Sequence, residues 1–176
     1  MNTNSPEHRP AQRKGLFLPA LCVGLSVFTV GACDVPTIAY ELRFPSTETF
    51  LVTSTARVDV YDGAGTEDKS PDTICRALSI GQPAPVATLY STGKRSVCAF
   101  AAESGLEISN VRTGRVVLFA EAEDSIGTKL LRGCSVVDLN GEVEKVQIQL
   151  STLPTYPDDP EPSCVNAQQK CGGEGC

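Results

Sequence analysis

The sequence predicts an all-β domain, an antiparallel β-sandwich, and three observations support this class. The 176 residues include 15 glycines and 12 prolines, which favour many turns over long helices. Apolar and polar side chains alternate with a period of two along several segments, and no comparably long stretch keeps the 3.6-residue period of a helix. The length suits one domain with a substantial core and is short for two.

The first 32 residues have the layout of a secretory signal peptide. A polar segment ending in Arg13 and Lys14 precedes an uncharged run from Gly15 to Val30. A helix over that run would span only about 24 Å, short of the roughly 30 Å bilayer core, and Pro19 interrupts it. We therefore expect residues 1–32 to be a signal peptide that is removed, rather than a transmembrane helix.

This segment ends in Val30-Gly31-Ala32-Cys33. The ending resembles the lipobox of bacterial lipoproteins, in which an aliphatic residue and two small residues precede the cysteine that receives a diacylglyceryl group. The resemblance covers the first 33 residues. It implies lipidation of Cys33 and a lipidated tether over residues 33–36. It also implies an exported domain held on the periplasmic face of the inner membrane, at the outer membrane or at the cell surface.

The parity of the cysteines favours a lipidated Cys33 over an ordinary cleaved signal that leaves Cys33 to form a disulfide. Of the eight cysteines, Cys22 lies within the signal, so the mature chain keeps seven. An odd number would leave one free thiol in an oxidising compartment, whereas lipid on Cys33 leaves six that can all pair.

The six remaining cysteines predict structural disulfides. Three lie in the body and three in the C-terminal tail: Cys75, Cys98 and Cys134, and Cys164, Cys171 and Cys176. Both sets are odd, so if all six pair, at least one disulfide joins the tail to the body, and 15 pairings stay open. We expect no metal site, because no C-x2-C pair occurs and exported thiolates are oxidised.

Residues 37–151 are the predicted sandwich. The longest alternating segments are Thr49–Tyr61, Arg115–Asp124 and Glu144–Leu150. Shorter candidate strands, separated by turn residues, are Thr37–Phe44, Ile74–Ile80, Val86–Tyr90, Ser96–Ala101, Leu106–Val111 and Lys129–Leu139. Strands at this spacing favour a sandwich over a βαβ fold.

The segment from Leu106 to Leu150 resembles the second half of an immunoglobulin-like or transthyretin-like module. Thr113-Gly114-Arg115 stands where such modules often carry a Pro-Gly turn. Beyond the predicted sandwich, residues 152–163 are rich in proline and acidic residues and predict an extended linker. Residues 164–176 form a cysteine-rich tail.

The mature chain has few residues for catalysis. Its only histidine, His8, lies in the signal, which removes Ser-His-Asp and Cys-His catalysis and imidazole metal sites. Glu121, Glu123 and Asp124 are close in sequence, but the first two share a strand face that we expect to be a solvated edge. We therefore expect no catalytic residues, no cofactor and no metal.

Charge limits the partners of the domain. Residues 1–32 hold three of the 15 basic and one of the 21 acidic side chains, which leaves 12 basic against 20 acidic, a net charge of −8. An acidic domain has no footprint for nucleic acid and is repelled by anionic headgroups, so the lipid on Cys33 would hold it to the membrane.

The expected function is a lipid-anchored, non-catalytic cell-envelope domain with a structural or protein-interaction role and an unknown protein partner. Such a module should expose an apolar patch or a free strand edge. The alternative is carbohydrate- or calcium-dependent, adhesin-like binding, through tyrosines or through the acidic loop Asp62–Asp68, although that loop lacks EF-hand spacing. A carboxylate-only enzyme is the third possibility.

Overall fold

The computed structural model describes residues 38–65, 67–101, 106–109, 111, 114–139 and 145–172. These residues form mostly strands, in two sheets, with four short α-helices and a 3₁₀ turn. The strands are β1 (Ile38–Arg43), β2 (Thr55–Asp62), β3 (Thr88–Ser91), β4 (Arg95–Ser96), β5 (Leu106–Ile108), β6 (Gly114–Glu123), β7 (Lys129–Leu139), β8 (Lys145–Gln149) and β9 (Ser151–Thr152). The helices are α1 (Thr47–Val52), α2 (Pro71–Ser79), α3 (Val97–Ala101) and α4 (Ala167–Cys171). The predicted signal peptide and the tether with Cys33 lie outside the described residues.

One sheet has three strands and the other has six. The order is β5-β1-β8 in the small sheet and β3-β2-β6-β7-β9 in the large one, where β4 also pairs with β2. All pairs in the large sheet are antiparallel, but β1 is parallel to β8, with Tyr40 opposite Val146. The expectation of a purely antiparallel fold is wrong at this pair. Because the two strands are far apart in the chain, no hairpin forces them to run in opposite directions.

The two sheets share one apolar core. The small sheet contributes Tyr40 and Ile148, and the large sheet contributes Val58 and Leu118, all nearly inaccessible to solvent. The predicted alternation of β6 is confirmed on this face, whose members are Val116, Leu118, Ala120 and Ala122. Each such aliphatic side chain contributes roughly 1.5 to 3 kcal/mol when fully buried.

Strand β6 is also buried on its second face. Val117 and Phe119 pack there against Ile74 and Leu78 of α2 and against Tyr61. The amphipathic helix α2 therefore covers part of the outer face of the large sheet. A strand with both faces covered lies at the centre of its sheet, and β6 has β2 on one side and β7 on the other.

Three predicted strands are wrong in whole or in part, because the chain forms helices there. The predicted strand Thr49–Tyr61 has its first four residues in α1, and only its second part lies in β2. The predicted strands Ile74–Ile80 and Ser96–Ala101 fall mostly in α2 and α3. Local capping explains α1, because the side chains of Ser46 and Thr49 each accept the other's backbone N–H.

Helix α2 begins with a stronger set of start signals. The Ser70 hydroxyl accepts the N–H of Thr73, Pro71 occupies the first turn, and Asp72 places a negative charge near the helix N-terminus. These local interactions favour a helix over a strand across Ile74 and the residues that follow.

The strand register defines two ends of the domain. At the end that we call the tail end, Thr55 lies opposite Glu123 and Leu131 lies opposite Thr152. At the opposite end, which we call the N-terminal end, Ile38 lies opposite Ile108. The chain thus enters β1 at the N-terminal end, while α1, the turn between β6 and β7, and the C-terminal segment lie at the tail end.

The C-terminal segment packs along the large sheet after β9. The N–H of Leu153 donates to the carbonyl of Leu130 at 2.8 Å, and Tyr156 packs against the main core. The first residues of the predicted linker, 152–163, therefore contact the sheet directly.

Candidate functional site

Disulfides connect the helices to the rest of the fold. Cys75 in α2 is bonded to Cys134 in β7, and Cys98 in α3 is bonded to Cys171 in α4. The second bond confirms the predicted disulfide between body and tail. Cys164 is also disulfide-bonded, and Cys176 lies outside the described residues. Disulfides of this kind indicate an oxidising compartment, extracellular or periplasmic.

A small second core holds the tail against α1 and α3. It consists of Phe50 and Leu51 from α1, Val97 from α3 and Cys164 from the tail, all buried. Residues far apart in the chain thus build the tail end together, and the Cys98–Cys171 disulfide crosslinks the same elements.

Lys170 makes the second attachment of the tail to α1. Its ammonium donates hydrogen bonds to the carbonyls of Phe50, Leu51 and Thr53, and it lies 5.4 Å from the centre of the Phe50 ring. These carbonyls are at the C-terminal end of α1, where carbonyl groups lack helical partners and the helix dipole favours a cation. Burial lowers the pKa of the Lys170 ammonium.

An open cleft of about 580 Å³ lies at this end of the domain, and we call it the tail cleft. Its walls come from the end of α1, from the β6–β7 turn and from the proline-rich segment, and they include Leu51, Thr128, Pro157, Pro160, Glu161 and Lys170. Asp124 fixes the turn, because its Oδ1 accepts the N–H groups of Ile126 at 3.0 Å and of Thr128 at 2.8 Å.

Two exposed aliphatic side chains directly follow, in the chain, residues that line the tail cleft. Ile126 is 86% exposed and follows the lining residue Ser125, and Val165 is 84% exposed and follows the lining residue Cys164. Among the large aliphatic side chains of the described residues, these two are the most exposed.

A second cleft, of about 450 Å³, opens on the outer face of the large sheet beside the end of α2, and we call it the sheet-face cleft. Arg57, Glu121 and Arg132 stand directly opposite one another on β2, β6 and β7 and line its floor. Glu121 Oε2 lies 2.9 Å from Arg132 Nε, and its Oε1 lies 2.9 Å from Lys129 Nζ and 3.5 Å from Arg57 Nη2.

The prediction that Glu121 and Glu123 lie on a solvated edge is wrong. They are only 5% and 7% exposed, because β6 is a central strand. Burial alone would raise the pKa of Glu121, but the hydrogen bonds and charges of Lys129 and Arg132 outweigh burial and lower it.

The three carboxylates that sequence places together have separate partners. Glu121 lines the sheet-face cleft, Glu123 pairs with Lys94, and Asp124 caps the turn beside the tail cleft. They do not meet in one cleft as a carboxylate-only enzyme would require.

Arg57 has a further partner outside the cleft. Its Nε lies 3.0 Å from Asp59 Oδ2, and the Ser91 hydroxyl donates to the other oxygen of Asp59. Within the lining of the sheet-face cleft itself, three cations face one carboxylate.

The residues considered for calcium or carbohydrate have structural roles. Asp62 Oδ1 accepts the N–H of Ala64 at 2.9 Å, and within the described part of the chain no three His, Cys, Asp or Glu residues are placed to hold a metal ion. The four tyrosines are buried or half-buried: Tyr40, Tyr61, Tyr90 and Tyr156. Of the helices in the described ranges, none has the length and apolar character needed to cross a membrane.

Sequence reasoning missed the cluster around Glu121, although two signals were present. The outward positions of β6 begin with Val117 and Phe119, and apolar residues on both faces indicate a central strand. A carboxylate further along such a strand needs cations from its neighbours, and Arg57 and Arg132 stand in two of the segments with strand character.

Comparisons of the chain with protein-family models, with curated proteins and with solved structures found no match.

Proposed function

We propose that this protein is a lipid-anchored, non-catalytic domain of the cell envelope that binds a partner protein at the tail cleft. The observation that carries the proposal is the open tail cleft, together with the exposed Ile126 and Val165 that directly follow lining residues in the chain. Protein interfaces place aliphatic and aromatic side chains at their centre and polar groups around them, and this cleft offers both kinds of group.

The position of the tail cleft supports this role. The described chain enters at Ile38, at the N-terminal end, and Cys33 precedes it by five residues. Five extended residues reach at most about 18 Å. A lipid on Cys33 would hold the N-terminal end close to the bilayer and leave the tail cleft facing away from it, accessible to a partner.

The construction of the tail end also supports binding. The Cys98–Cys171 disulfide and the hydrogen bonds of Lys170 fix the walls of the cleft before a partner arrives. A preformed surface loses less conformational entropy on binding than a flexible one.

We also propose that the two sheets form a β-sandwich of the immunoglobulin-like or transthyretin-like class. Their shared core supports a sandwich, and the hairpin of β6 and β7 supports the resemblance of the segment 106–150.

Intact mass spectrometry of the protein from its native membrane tests the anchor. The expected mass is that of residues 33–176 with acyl chains on Cys33 and with the cysteine thiols oxidised. A mass that retains residues 1–32, or that shows an unmodified Cys33, would contradict it.

Site-specific photo-crosslinking in cells tests the partner site. A photoreactive residue is placed at Ile126, at Val165 and, as a matched control, at Ile80, which is 65% exposed and lies at the end of α2. We expect the same discrete adduct from positions 126 and 165 and none from position 80. Equal adducts at all three positions, or none at positions 126 and 165, would contradict partner binding at the tail cleft.

A further inference from the structure

We infer that the sheet-face cleft binds a small organic carboxylate, whose anionic group meets the cations around Glu121 and whose apolar body packs beside the end of α2. This site is separate from the tail cleft, and the inference does not depend on the proposed partner binding.

The cations keep hydrogen-bond donors beyond those that their present contacts use. An arginine has five N–H groups. In the contacts among the described residues, Arg132 uses Nε for Glu121 and Nη1 for the carbonyl of Ser79. Arg57 uses Nη2 for Glu121, and its Nε lies 3.0 Å from Asp59 Oδ2 without donating a hydrogen bond. Both guanidinium groups keep donors for a further anion.

The cations of the sheet-face cleft are also held in place. Arg132 is only 15% exposed and is fixed between Glu121 on β6 and Ser79 at the end of α2. Helix α2 is in turn crosslinked to β7 by the Cys75–Cys134 disulfide. A ligand therefore finds the positive side chains already oriented, which lowers the entropic cost of binding.

The size and lining of the sheet-face cleft also suit such a ligand. Its volume of about 450 Å³ suits a small molecule. Besides the charged groups, the lining includes the apolar side chains of Leu78, Pro83, Ala84, Val86 and Phe119. A ligand with one anionic end and one apolar end can contact both kinds of group.

The cations of this cleft favour a carboxylate among anions. These cations already bind one carboxylate, that of Glu121, through both of its oxygens. Guanidinium groups match the planar geometry of carboxylates. Glu121 thus orients the cations and also competes with a ligand for them, so its charge limits the affinity of the site.

The test is a calorimetric titration of the purified full chain with benzoate at constant ionic strength. Benzamide serves as the neutral probe of the same shape, and acetate as the anion without an apolar body. We expect saturable binding of benzoate, with benzamide and acetate at least about tenfold weaker, the effect of losing one charge-assisted hydrogen bond or most of the apolar contact.

Variants locate the site. We expect Arg57→Gln and Arg132→Gln to weaken benzoate binding by about tenfold or more. We expect Glu121→Gln to strengthen it several-fold, because the competing carboxylate is gone. Arg115→Gln is the matched control, since Arg115 pairs with Asp138 on the same sheet, six residues from Glu121 along β6, and should leave binding unchanged.

Several results would overturn the inference. These are non-saturable benzoate binding, equal affinity for benzamide, or a Glu121→Gln variant that binds benzoate no more tightly than the natural protein. If Arg132→Gln does not fold, Arg57→Gln and the more exposed Lys129→Gln still decide the role of the cations. Loss of photo-crosslinking at Ile126 would refute the proposed partner site and would leave this one unaffected.

Discussion

The tail cleft and the sheet-face cleft carry opposite local charge on the same acidic chain. In the tail cleft, Asp124 and Glu161 line the walls, and the ammonium of Lys170 is taken up by main-chain carbonyls. In the sheet-face cleft, three cations face the single carboxylate of Glu121. The partners of each charge, and not the net charge of the chain, therefore decide what a cleft attracts.

The two clefts also differ in how they are built. The tail cleft depends on contacts between distant parts of the chain, namely Phe50 with Lys170 and Cys98 with Cys171. The sheet-face cleft depends on the register of three neighbouring strands that place Arg57, Glu121 and Arg132 in one row. Removing the Cys98–Cys171 disulfide should therefore affect the tail cleft, and changing a charge in this row should affect the sheet-face cleft.

The largest expected effect is the loss of the disulfide at the tail end. Cys98 and Cys171 are 73 residues apart, and the chain-entropy model gives about 4 kcal/mol for a loop of that length. We expect the double variant Cys98→Ser/Cys171→Ser to lose about this much unfolding free energy in urea and to lose amide protection over residues 153–172. The matched control, Cys75→Ser/Cys134→Ser, should lose a similar free energy but keep that protection. Unchanged protection in the first variant would contradict a tail held by this bond.

The next largest effect concerns the row of charges. Replacing Arg132 with glutamine removes the cation nearest Glu121 Oε2 and leaves a buried carboxylate partly unpaired. We expect a loss of about 2 to 3 kcal/mol of unfolding free energy, because Lys129 and Arg57 still pair with it. Lys129→Gln removes an equally close cation that is 48% exposed, and we expect it to cost under about 1 kcal/mol. Equal costs for the two variants would show that burial does not govern this cluster.

A smaller effect should follow from Lys170→Met, which keeps much of the side-chain volume and removes the ammonium. Three carbonyls at the end of α1 lose their donor, and we expect a loss of about 1.5 kcal/mol in urea unfolding. The control is Lys69→Met at an exposed position in the 3₁₀ turn, which should change stability little. A Lys170→Met variant as stable as the control would mean that the disulfide alone holds the tail.

The strands that could be predicted from sequence are those whose signals lie within the strand or in the turns beside it. The predicted Arg115–Asp124 and Lys129–Leu139 agree with β6 and β7 to within a residue at each end. The first was predicted from its alternating side chains, and the second from the turn residues on either side of it. Helix α2 has an equally local start signal at Ser70, Pro71 and Asp72. The strand propensity of the residues that follow nevertheless led to the wrong prediction of a strand there.

Of the candidate sites, the sequence could predict only what the number of cysteines determines. Cysteine parity predicted a body-to-tail disulfide, yet the pairing of Cys98 with Cys171 depends on a fold that brings α3 to α4. The burial of Glu121 depends on the strands beside β6, and the row with Arg57 and Arg132 depends on register. Such facts belong to pairs of distant segments, so no single segment of the sequence contains them.

The smallest expected effect is the dependence of stability on pH, which tests the charges of the sheet-face cleft. The pKa of Glu121 is lowered in the folded state, so its ionised carboxylate stabilises the fold above the usual glutamate range. That contribution is lost as the pH falls through the lowered pKa. Between pH 7 and pH 3, we expect the natural protein to lose more unfolding free energy than Glu121→Gln, which has no carboxylate to protonate there.

Glu41 and Asp138, whose pKa values are also lowered by partners, are present in both proteins and contribute equally to both slopes. Glu67→Gln, at an exposed position, is the control and should follow the natural protein. If Glu121→Gln and the natural protein lose the same free energy across this range, the cations of the sheet-face cleft do not stabilise the ionised form of Glu121. The cations would then have no preference for a bound carboxylate either, because the same side chains would face a ligand.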